Sequence, residues 1–332
     1  MPEYKAPQRD ISFVMNELLQ AEELYQTLPA YQEVSEDLLN TIVEEAAKFC
    51  EEVLAPLNRP GDEEGCHWSE DGVKTPEGFP EAYRQYMDNG WPALSANTEY
   101  GGQGLPYLTG VVITEMTGSA NWSWGMYPGL SQGAIRTIEE HGDAQQKEHY
   151  LTRLVEGRWT GTMCLTEAHC GTDLGQLRSK AEPQADGSYA ISGTKIFISA
   201  GEHDMTENIV HIVLARLPDA PPGTKGISLF IVPKFKLDDQ GNIAERNAVH
   251  CASIEKKMGI HASATCVMQF DDAKGYLIGP PNKGLNCMFT FMNTARLGTA
   301  MQGLAHGELS YQGALAYARD RLAMRSLTGP KN

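Results

Sequence analysis

Apolar residues recur at helical spacing early in the chain, with acidic residues between them. Residues 36–54 place a set of apolar side chains on one helical face: Leu38, Ile42, Ala46, Phe49 and Val53. A stripe of this kind predicts an amphipathic helix. Ser35 is the predicted N-cap, and Pro56 and Pro60 are expected to end the segment.

Further helical segments follow before residue 158. Shorter helices are predicted at 80–89, 107–118 and 143–156. Asp143 is expected to begin the last of these and Gly157 to end it. The first part of the chain is therefore predicted to be helical.

The pattern changes near residue 159. Up to about residue 278 the chain shows short runs rich in β-branched residues, such as SYAISGTKIFISAG, ENIVHIVLARL and GISLFIVPKF. Asp186-Gly187 predicts a type I′ hairpin turn, because glycine tolerates a positive φ. Regular spacing without intervening helices predicts an antiparallel β domain and not a doubly wound sheet.

Helical spacing returns in residues 285–325, which contain no proline. The predicted fold class is α+β: an N-terminal helical domain at 1–158 with an extension at 1–34, a middle antiparallel β domain at 159–278, and the start of a C-terminal helical bundle at 279–332. A long amphipathic helix needs partners for its apolar face. The C-terminal bundle is therefore expected to be incomplete in this chain.

The net charge of −16 is concentrated near the N-terminus. The first 100 residues hold 21 acidic and 6 basic side chains, against 22 and 21 in the remaining 232. Without a basic stripe, nucleic acid is not an expected partner. No apolar run reaches the length of a membrane span, and the N-terminus lacks the apolar core of a signal peptide. A cytoplasmic location is therefore expected.

The cysteines and the missing motifs exclude several classes of protein. The seven cysteines are odd in number and form no CxxC pair, which argues against a disulfide framework and a zinc site. The sequence contains no GxGxxG after a predicted strand, no GxxxxGK[ST] and no HExxH. No metal site is expected, since His203 and Asp204 lack further partners at ligand spacing.

Residues 161–175, GTMCLTEAHCGTDLG, are the most informative stretch for function. They predict a strand followed by a turn of small and polar residues. Exposed backbone N–H groups and hydroxyls at the end of a strand can bind an anion or the edge of a cofactor. The residue types fit an ordinary polar loop equally well.

Five segments in the same order resemble the acyl-CoA dehydrogenase family. They are TEYGGQGLP, MCLTEAHCGTD, GTKIFISAGEHD, MNTARLGTAMQGLA and YARDRLAMR. The opening MPEYKAPQRDISFVMNELL resembles a subgroup with longer chains. The resemblance covers nearly the whole chain and implies a flavoprotein that uses FAD.

The resemblance also implies the cofactor-binding residues: Met163, Leu165, Thr166, Gly171, Thr172, Phe197, Ile198, Ser199 and Arg321. The Leu165 backbone and the Thr166 hydroxyl would face the pyrimidine end of the flavin, and the Thr172 hydroxyl would meet the pyrophosphate. Phe197 would stack on the ring, with the Ser199 hydroxyl near N5. Family members more often have Trp at the position of Phe197 and Thr at the position of Ser199.

The implied activity is α,β-dehydrogenation of an acyl-CoA, with electrons leaving to an electron-transfer flavoprotein. Thr172, Asn293 and Arg296 would bind the substrate, and Arg321 would reach the FAD of a neighbouring subunit in a homodimer or homotetramer. Family members take the α-proton with a glutamate, and one of the two positions that carry it is Ala295 here. The other would lie beyond Asn332, so the 332-residue chain alone is expected to be inactive.

Two alternatives stay open at this point. An acyl-CoA oxidase would pass the electrons to oxygen instead of to a flavoprotein. A non-catalytic protein that binds flavin or acyl-CoA would account for the missing base.

Overall fold

The computed structural model describes residues 4–322 and 327–329, in which a β region lies between two helical regions. The α-helices are α1 (Gln8–Ser12), α2 (Ala21–Gln26), α3 (Glu36–Phe49), α4 (Ala55–Glu64), α5 (Phe79–Asp88), α6 (Tyr107–His141), α7 (Ala144–Val155) and α8 (Gly284–Asp320). The strands are β1 (His67–Ser69), β2 (Gly72–Lys74), β3 (Trp159–Cys164), β4 (Lys180–Pro183), β5 (Tyr189–Ser199), β6 (Asn208–Ala215), β7 (Ser228–Pro233), β8 (Phe235–Leu237), β9 (Ile243–Arg246), β10 (Val249–Ile254) and β11 (Thr265–Ile278).

Helix α3 begins where the sequence predicts, and Ala46 and Phe49 are buried as expected, but the first part of its buried face is displaced by one residue. The Ser35 hydroxyl accepts a hydrogen bond from the Leu38 N–H at 3.2 Å, which confirms the predicted N-cap. Leu39 and Val43 are buried, whereas Leu38 is 39% exposed. The face assigned from the apolar pattern was therefore partly wrong.

The two prolines after α3 do not end the helical segment, contrary to the prediction. A π-helical turn at Cys50–Leu54 leads directly into α4, which has Pro56 in its first turn and Pro60 inside. A proline in the first turn of a helix lacks only an N–H that would have no helical partner. The helical segment therefore continues to Glu64, through α4, beyond the end that the prolines predicted.

Helix α6 is far longer than the predicted segment 107–118 and is broken at Asn121, where φ is −158° and ψ is 88°. The Asn121 side chain accepts a hydrogen bond from the Trp124 N–H at 3.1 Å and donates one to the Leu54 carbonyl at 3.3 Å. The bond from the Trp124 N–H resembles that of an N-cap residue, here in the middle of a helix. The two bonds stabilise a break that separates two helical halves.

The main sheet has the strand order β3-β6-β7-β11-β5-β4, and β10 also pairs with β11. Its pairs are antiparallel except β3–β6, which is parallel with Thr162 opposite His211. The prediction of an antiparallel domain therefore missed one parallel pair. The β4–β5 connection also differs from a type I′ turn: the Gln184 N–H donates to the Ser188 carbonyl, and positive φ occurs only at Gly187.

Helix α8 is a single helix that packs along α6. At Gly133 a side chain would overlap the ring of Phe291, so this glycine permits the close contact between the two helices. Residues 323–325, part of the predicted helix 285–325, lie outside the described residues. Within the described part of the chain, no helix has both the length and the apolar character needed to cross a bilayer.

Candidate functional site

The structure brings together the two segments that the sequence assigned to the flavin. The loop after β3 lies beside β5, because the Ile196 N–H donates to the Thr166 carbonyl at 2.9 Å. Lys195 adds a second link, with its Nζ 3.0 Å from the Leu165 carbonyl oxygen. Residues 163–166 and 195–199 therefore lie side by side.

A buried ion pair stabilises this arrangement. Lys195 is fully buried, and its Nζ lies 2.9 Å from Oε1 of Glu167. Oε1 also accepts hydrogen bonds from the N–H and hydroxyl of Ser179, and Oε2 accepts one from the Arg178 N–H. Because both of its oxygens have partners within the protein, the Glu167 carboxylate has a structural role.

The pKa values of this pair follow from burial and from the contacts. Burial alone would raise the pKa of Glu167, but Lys195 and the hydrogen bonds from Ser179 and Arg178 outweigh it and lower the pKa to about 2. Burial lowers the pKa of Lys195, and Glu167 opposes that shift. Glu167 is therefore poorly suited to accept a proton from a substrate.

Phe197 has an unusual conformation at the end of β5. Its φ is 58°, in the left-handed region that bulky residues rarely adopt, and its side chain is 58% exposed. The pairing of β5 with β11 shifts register at this point, which marks a β-bulge. Strain and exposure of an aromatic ring together are typical of a binding site.

The neighbours of Phe197 differ in what they can offer a ligand. The Ile198 side chain is buried in the core of the β region. Ser199 is half-buried and lies opposite Thr265 of β11. Ile198 can therefore contribute only its backbone to a ligand.

The loop that continues from β3 presents Gly171 and Thr172 to solvent. Asp173 follows and accepts hydrogen bonds from the Gly175 N–H at 3.2 Å and the Gln176 side chain at 2.8 Å. Its carboxylate thus stabilises a 3₁₀ turn at Leu174–Gln176. The backbone at 171–172 is left accessible beside this turn.

A cavity of about 320 Å³ lies mainly between α6 and α8. Its lining is largely aromatic, aliphatic and glycine, and it includes Trp91, Leu130, Gly129, Phe291 and Ala295. No aspartate or glutamate lines it among the described residues. Such a cavity suits an apolar chain and offers no carboxylate base.

The cavity adjoins the same core as the predicted flavin segment. Phe291 belongs to the apolar cluster against which Met163 and Leu165 pack, and Leu130 packs there as well. The backbone N–H of Gly161 on β3 donates to the Ser131 hydroxyl of α6 at 3.1 Å. The wall of the cavity and the end of β3 are therefore held in a fixed relation.

The predicted residues of α8 lie at two separate places. The Arg296 guanidinium donates to the Asn293 side chain at 2.8 Å and lies over the ring of Phe289. Arg321 lies one residue beyond the end of α8, is exposed, and donates to the Tyr317 hydroxyl at 2.6 Å. Ala295 lines the cavity, but neither Asn293 nor Arg296 does. Arg321 lies at the far end of the helix.

One group in the described residues has side chains close enough for a metal: Glu167, His169 and Cys170. Glu167 already pairs with Lys195 and accepts three further hydrogen bonds. A cation here would compete with the lysine, so the arrangement disfavours a metal. His203 and Asp204 do not form a site either, since Asp204 accepts its hydrogen bonds from Thr75.

Sequence reasoning overlooked Lys195 and the cavity. In β5 the buried positions Ile191 and Lys195 are four residues apart, which places them on one face of the strand. A lysine at an inward position signals a buried acidic partner. The cavity left no local signal, because its lining comes from segments far apart in the sequence.

Several acyl-CoA dehydrogenases are similar to this chain. The chain is 48% identical over 326 residues to the 3-methylmercaptopropionyl-CoA dehydrogenase of Ruegeria pomeroyi, covering 98% of this chain and 55% of the relative. It is 35% identical to a butyryl-CoA dehydrogenase of Syntrophomonas wolfei, covering 99% of this chain and 56% of the relative. The chain thus spans little more than half the length of both relatives.

A solved structure shows the same fold. The butyryl-CoA dehydrogenase of Megasphaera elsdenii superimposes with a TM-score of 0.73 at 26% identity, covering 87% of this chain and 71% of the other. Residues 37–158 match the family model of the acyl-CoA dehydrogenase N-terminal domain, and residues 162–273 match that of the middle domain. The chain belongs to the acyl-CoA dehydrogenase family.

Proposed function

We propose that this protein is an FAD-dependent acyl-CoA dehydrogenase that desaturates an acyl-CoA thioester between its α and β carbons. The observation that carries the proposal is the apolar cavity beside α8, joined through one core to the segment 163–166. The cavity would hold the acyl chain, and the accessible groups of the adjoining segments 163–166 and 195–199 would hold the flavin. The corresponding division of the chain is 1–158, 159–278 and 279–332.

The residues at the end of β3 and β5 fit a flavin. Phe197 offers an exposed aromatic plane, and the Thr166 and Ser199 hydroxyls offer hydrogen-bonding groups. Gly171 and Thr172 leave backbone accessible for a pyrophosphate. When bound, FAD would supply the hydride acceptor of the reaction.

The α-proton requires a base that the described residues do not place in the cavity. Ala295 lines the cavity and has no acceptor group, and Glu167 is engaged by Lys195. We propose, as the family resemblance implies, that a glutamate outside residues 1–332 removes this proton. The protein around the cavity would orient the thioester and exclude water.

The partners follow from the same resemblance. Electrons would pass to an electron-transfer flavoprotein, and Arg321 would contact the FAD of a second subunit in a homodimer or homotetramer. The substrate is either a fatty acyl-CoA or 3-methylmercaptopropionyl-CoA, the substrate named for the Ruegeria relative. An acyl chain with few polar groups matches the lining of the cavity.

Anaerobic mixing of the FAD-loaded, natural full-length protein with a panel of acyl-CoAs tests the proposal. Bleaching of the flavin at a rate typical of enzymes is the expected result. A protein that ignores added FAD, or a bound flavin that no acyl-CoA bleaches, would contradict it. Fast reoxidation in air without the electron-transfer flavoprotein would identify an oxidase instead.

A further inference from the structure

Arg216 bonds to backbone carbonyls of two separate loops. It follows β6 directly, and its Nε lies 2.7 Å from the Leu177 carbonyl oxygen. Its Nη2 lies 2.7 Å from the Gly175 carbonyl oxygen and 2.9 Å from that of Gly223. Its Nη1 donates to the Pro221 carbonyl at 3.2 Å. One side chain therefore joins the turn at 174–177 to the loop at 221–223.

The guanidinium forms these bonds without a carboxylate partner. Within the part of the chain that the structure describes, Arg216 takes part in no ion pair. Arginine has five donors in a rigid planar arrangement, whereas lysine has a single point of charge. Four carbonyls in two loops can be bound at once by arginine and not by lysine.

The backbone around Arg216 leaves room for its side chain and forms further hydrogen bonds with its main chain. A side chain at Gly226 would approach Nη1 of Arg216 to 2.8 Å and would overlap the Pro221 carbonyl. The Arg216 N–H donates to the Ser179 carbonyl at 2.9 Å, and its carbonyl accepts from the Ala181 N–H at 2.8 Å. Both the side chain and the backbone of Arg216 thus anchor the segment that follows residue 173.

This contact bears on the exposed loop at 171–172. The segment from Glu167 to Ser179 is held near its start by the pair of Glu167 with Lys195, and near its end by Arg216. Between these anchors, Gly171 and Thr172 are exposed. The position of their backbone therefore depends on both anchors.

We propose that Arg216 is a positioning residue for the ligand site: it holds the loop Gly171–Leu177 in the conformation that binds the phosphate groups of FAD. The proposal rests on the proposed function, since it assigns FAD to this loop. Arg216 itself acts through the backbone and does not touch the ligand.

The test titrates FAD into the ligand-free natural full-length protein and follows flavin fluorescence. Arg216→Lys keeps the charge but loses the planar set of donors, and Arg216→Gln loses both. Each should raise the Kd for FAD about ten-fold or more. Lys225→Gln is the matched control, because Lys225 is an exposed cation near the same loop whose side chain bonds to no backbone carbonyl among the described residues. The Kd of this variant should stay within about two-fold of wild type.

Hydrogen exchange on the ligand-free variants provides a second measurement. Amides of residues 174–177 should exchange faster in both Arg216 variants, while those of β6 and β7 stay protected. An unchanged Kd for FAD in a folded Arg216→Lys protein would overturn the proposal, as would an equal loss in Lys225→Gln. If wild type binds no FAD, the proposed function is wrong, and unchanged exchange at 174–177 would then also exclude the anchoring role.

Discussion

Lys195 on β5 and Glu167 in the loop after β3 form a buried ion pair, with Nζ and Oε1 2.9 Å apart. The lysine is fully buried and the glutamate is 5% exposed. The same Nζ bonds to the Leu165 carbonyl, so the pair connects the two segments of the proposed flavin site. Its removal should therefore affect both stability and the site.

Glu167→Gln should lower the free energy of unfolding by about 3–5 kcal/mol, because it leaves the buried Lys195 without a counter-charge. Urea unfolding of the ligand-free protein measures this. Glu167→Gln combined with Lys195→Met should recover most of the loss, since no uncompensated charge remains. Glu207→Gln, which breaks an exposed pair with Arg158, is the control and should cost about 0–1 kcal/mol. Equal effects of Glu167→Gln and Glu207→Gln would contradict the role of the buried pair.

Stability should fall as the pH drops below about 6.5, because two buried histidines are neutral in the folded protein. Burial, with smaller effects from charges including that of Lys234, lowers the pKa of His203 and of His211 to about 3. Between pH 6.5 and 3 the unfolded chain binds more protons at these positions, so acid favours unfolding. Each histidine adds a limiting slope of about 1.4 kcal/mol per pH unit.

Urea unfolding at several pH values checks this dependence. His211→Asn should reduce the slope below pH 6.5, because it removes one of the two buried imidazoles. Identical slopes for wild type and His211→Asn would show that His211 is protonated in the folded protein.

Phe197→Gly should weaken FAD binding without destabilising the ligand-free protein. Glycine adopts a positive φ freely, and the Phe197 side chain is mostly exposed, so little apolar burial is lost. The free energy of unfolding should change by no more than about 1 kcal/mol. Phe197→Trp should retain FAD, because it keeps an aromatic plane.

Phe270→Gly is the matched control, because it removes a phenylalanine ring that is buried. Phe270 is buried on β11, so its loss should cost at least the roughly 3–5 kcal/mol typical of removing a core phenylalanine. Unfolding curves and FAD titrations of the three variants test the prediction. A large destabilisation by Phe197→Gly would mean that the ring has a structural role.

Gly129→Leu should shift substrate preference towards shorter acyl chains. Gly129 lines the cavity, and a Cβ atom there would have no neighbouring atom within 4 Å, so a larger side chain has room to enter. The value of kcat/KM should fall about 10-fold or more for long acyl-CoAs and less for short ones. Gly307→Leu on α8 is the control, because Gly307 is equally open but lies outside the cavity. The same loss at all chain lengths would exclude a role of the cavity in length selection.

Ala295→Glu should create activity in the 332-residue chain, which is itself expected to be inactive. No carboxylate lines the cavity among the described residues, and position 295 lies in its wall. The measurement is flavin bleaching by acyl-CoA in FAD-loaded protein, with the thermal melting of each variant as a check of folding. Bleaching by the unchanged chain would mean that a base lies within residues 1–332.

Local features of this protein follow from its sequence alone. Ser35 and Asp143 were predicted as helix caps, and both accept hydrogen bonds from backbone N–H groups three residues ahead. The change from helical to strand pattern near residue 159 was also predicted. Each of these features depends on contacts within a few residues, so the local sequence contains the information.

The site depends on contacts between distant segments. The parallel pairing of β3 with β6, the burial of Lys195 against Glu167 and the cavity between α6 and α8 join residues that are tens to more than a hundred apart in the chain. The break at Asn121 likewise uses the carbonyl of Leu54. Hydrophobic pattern identifies which residues are apolar, but packing of whole elements decides which of them meet and where space remains between them.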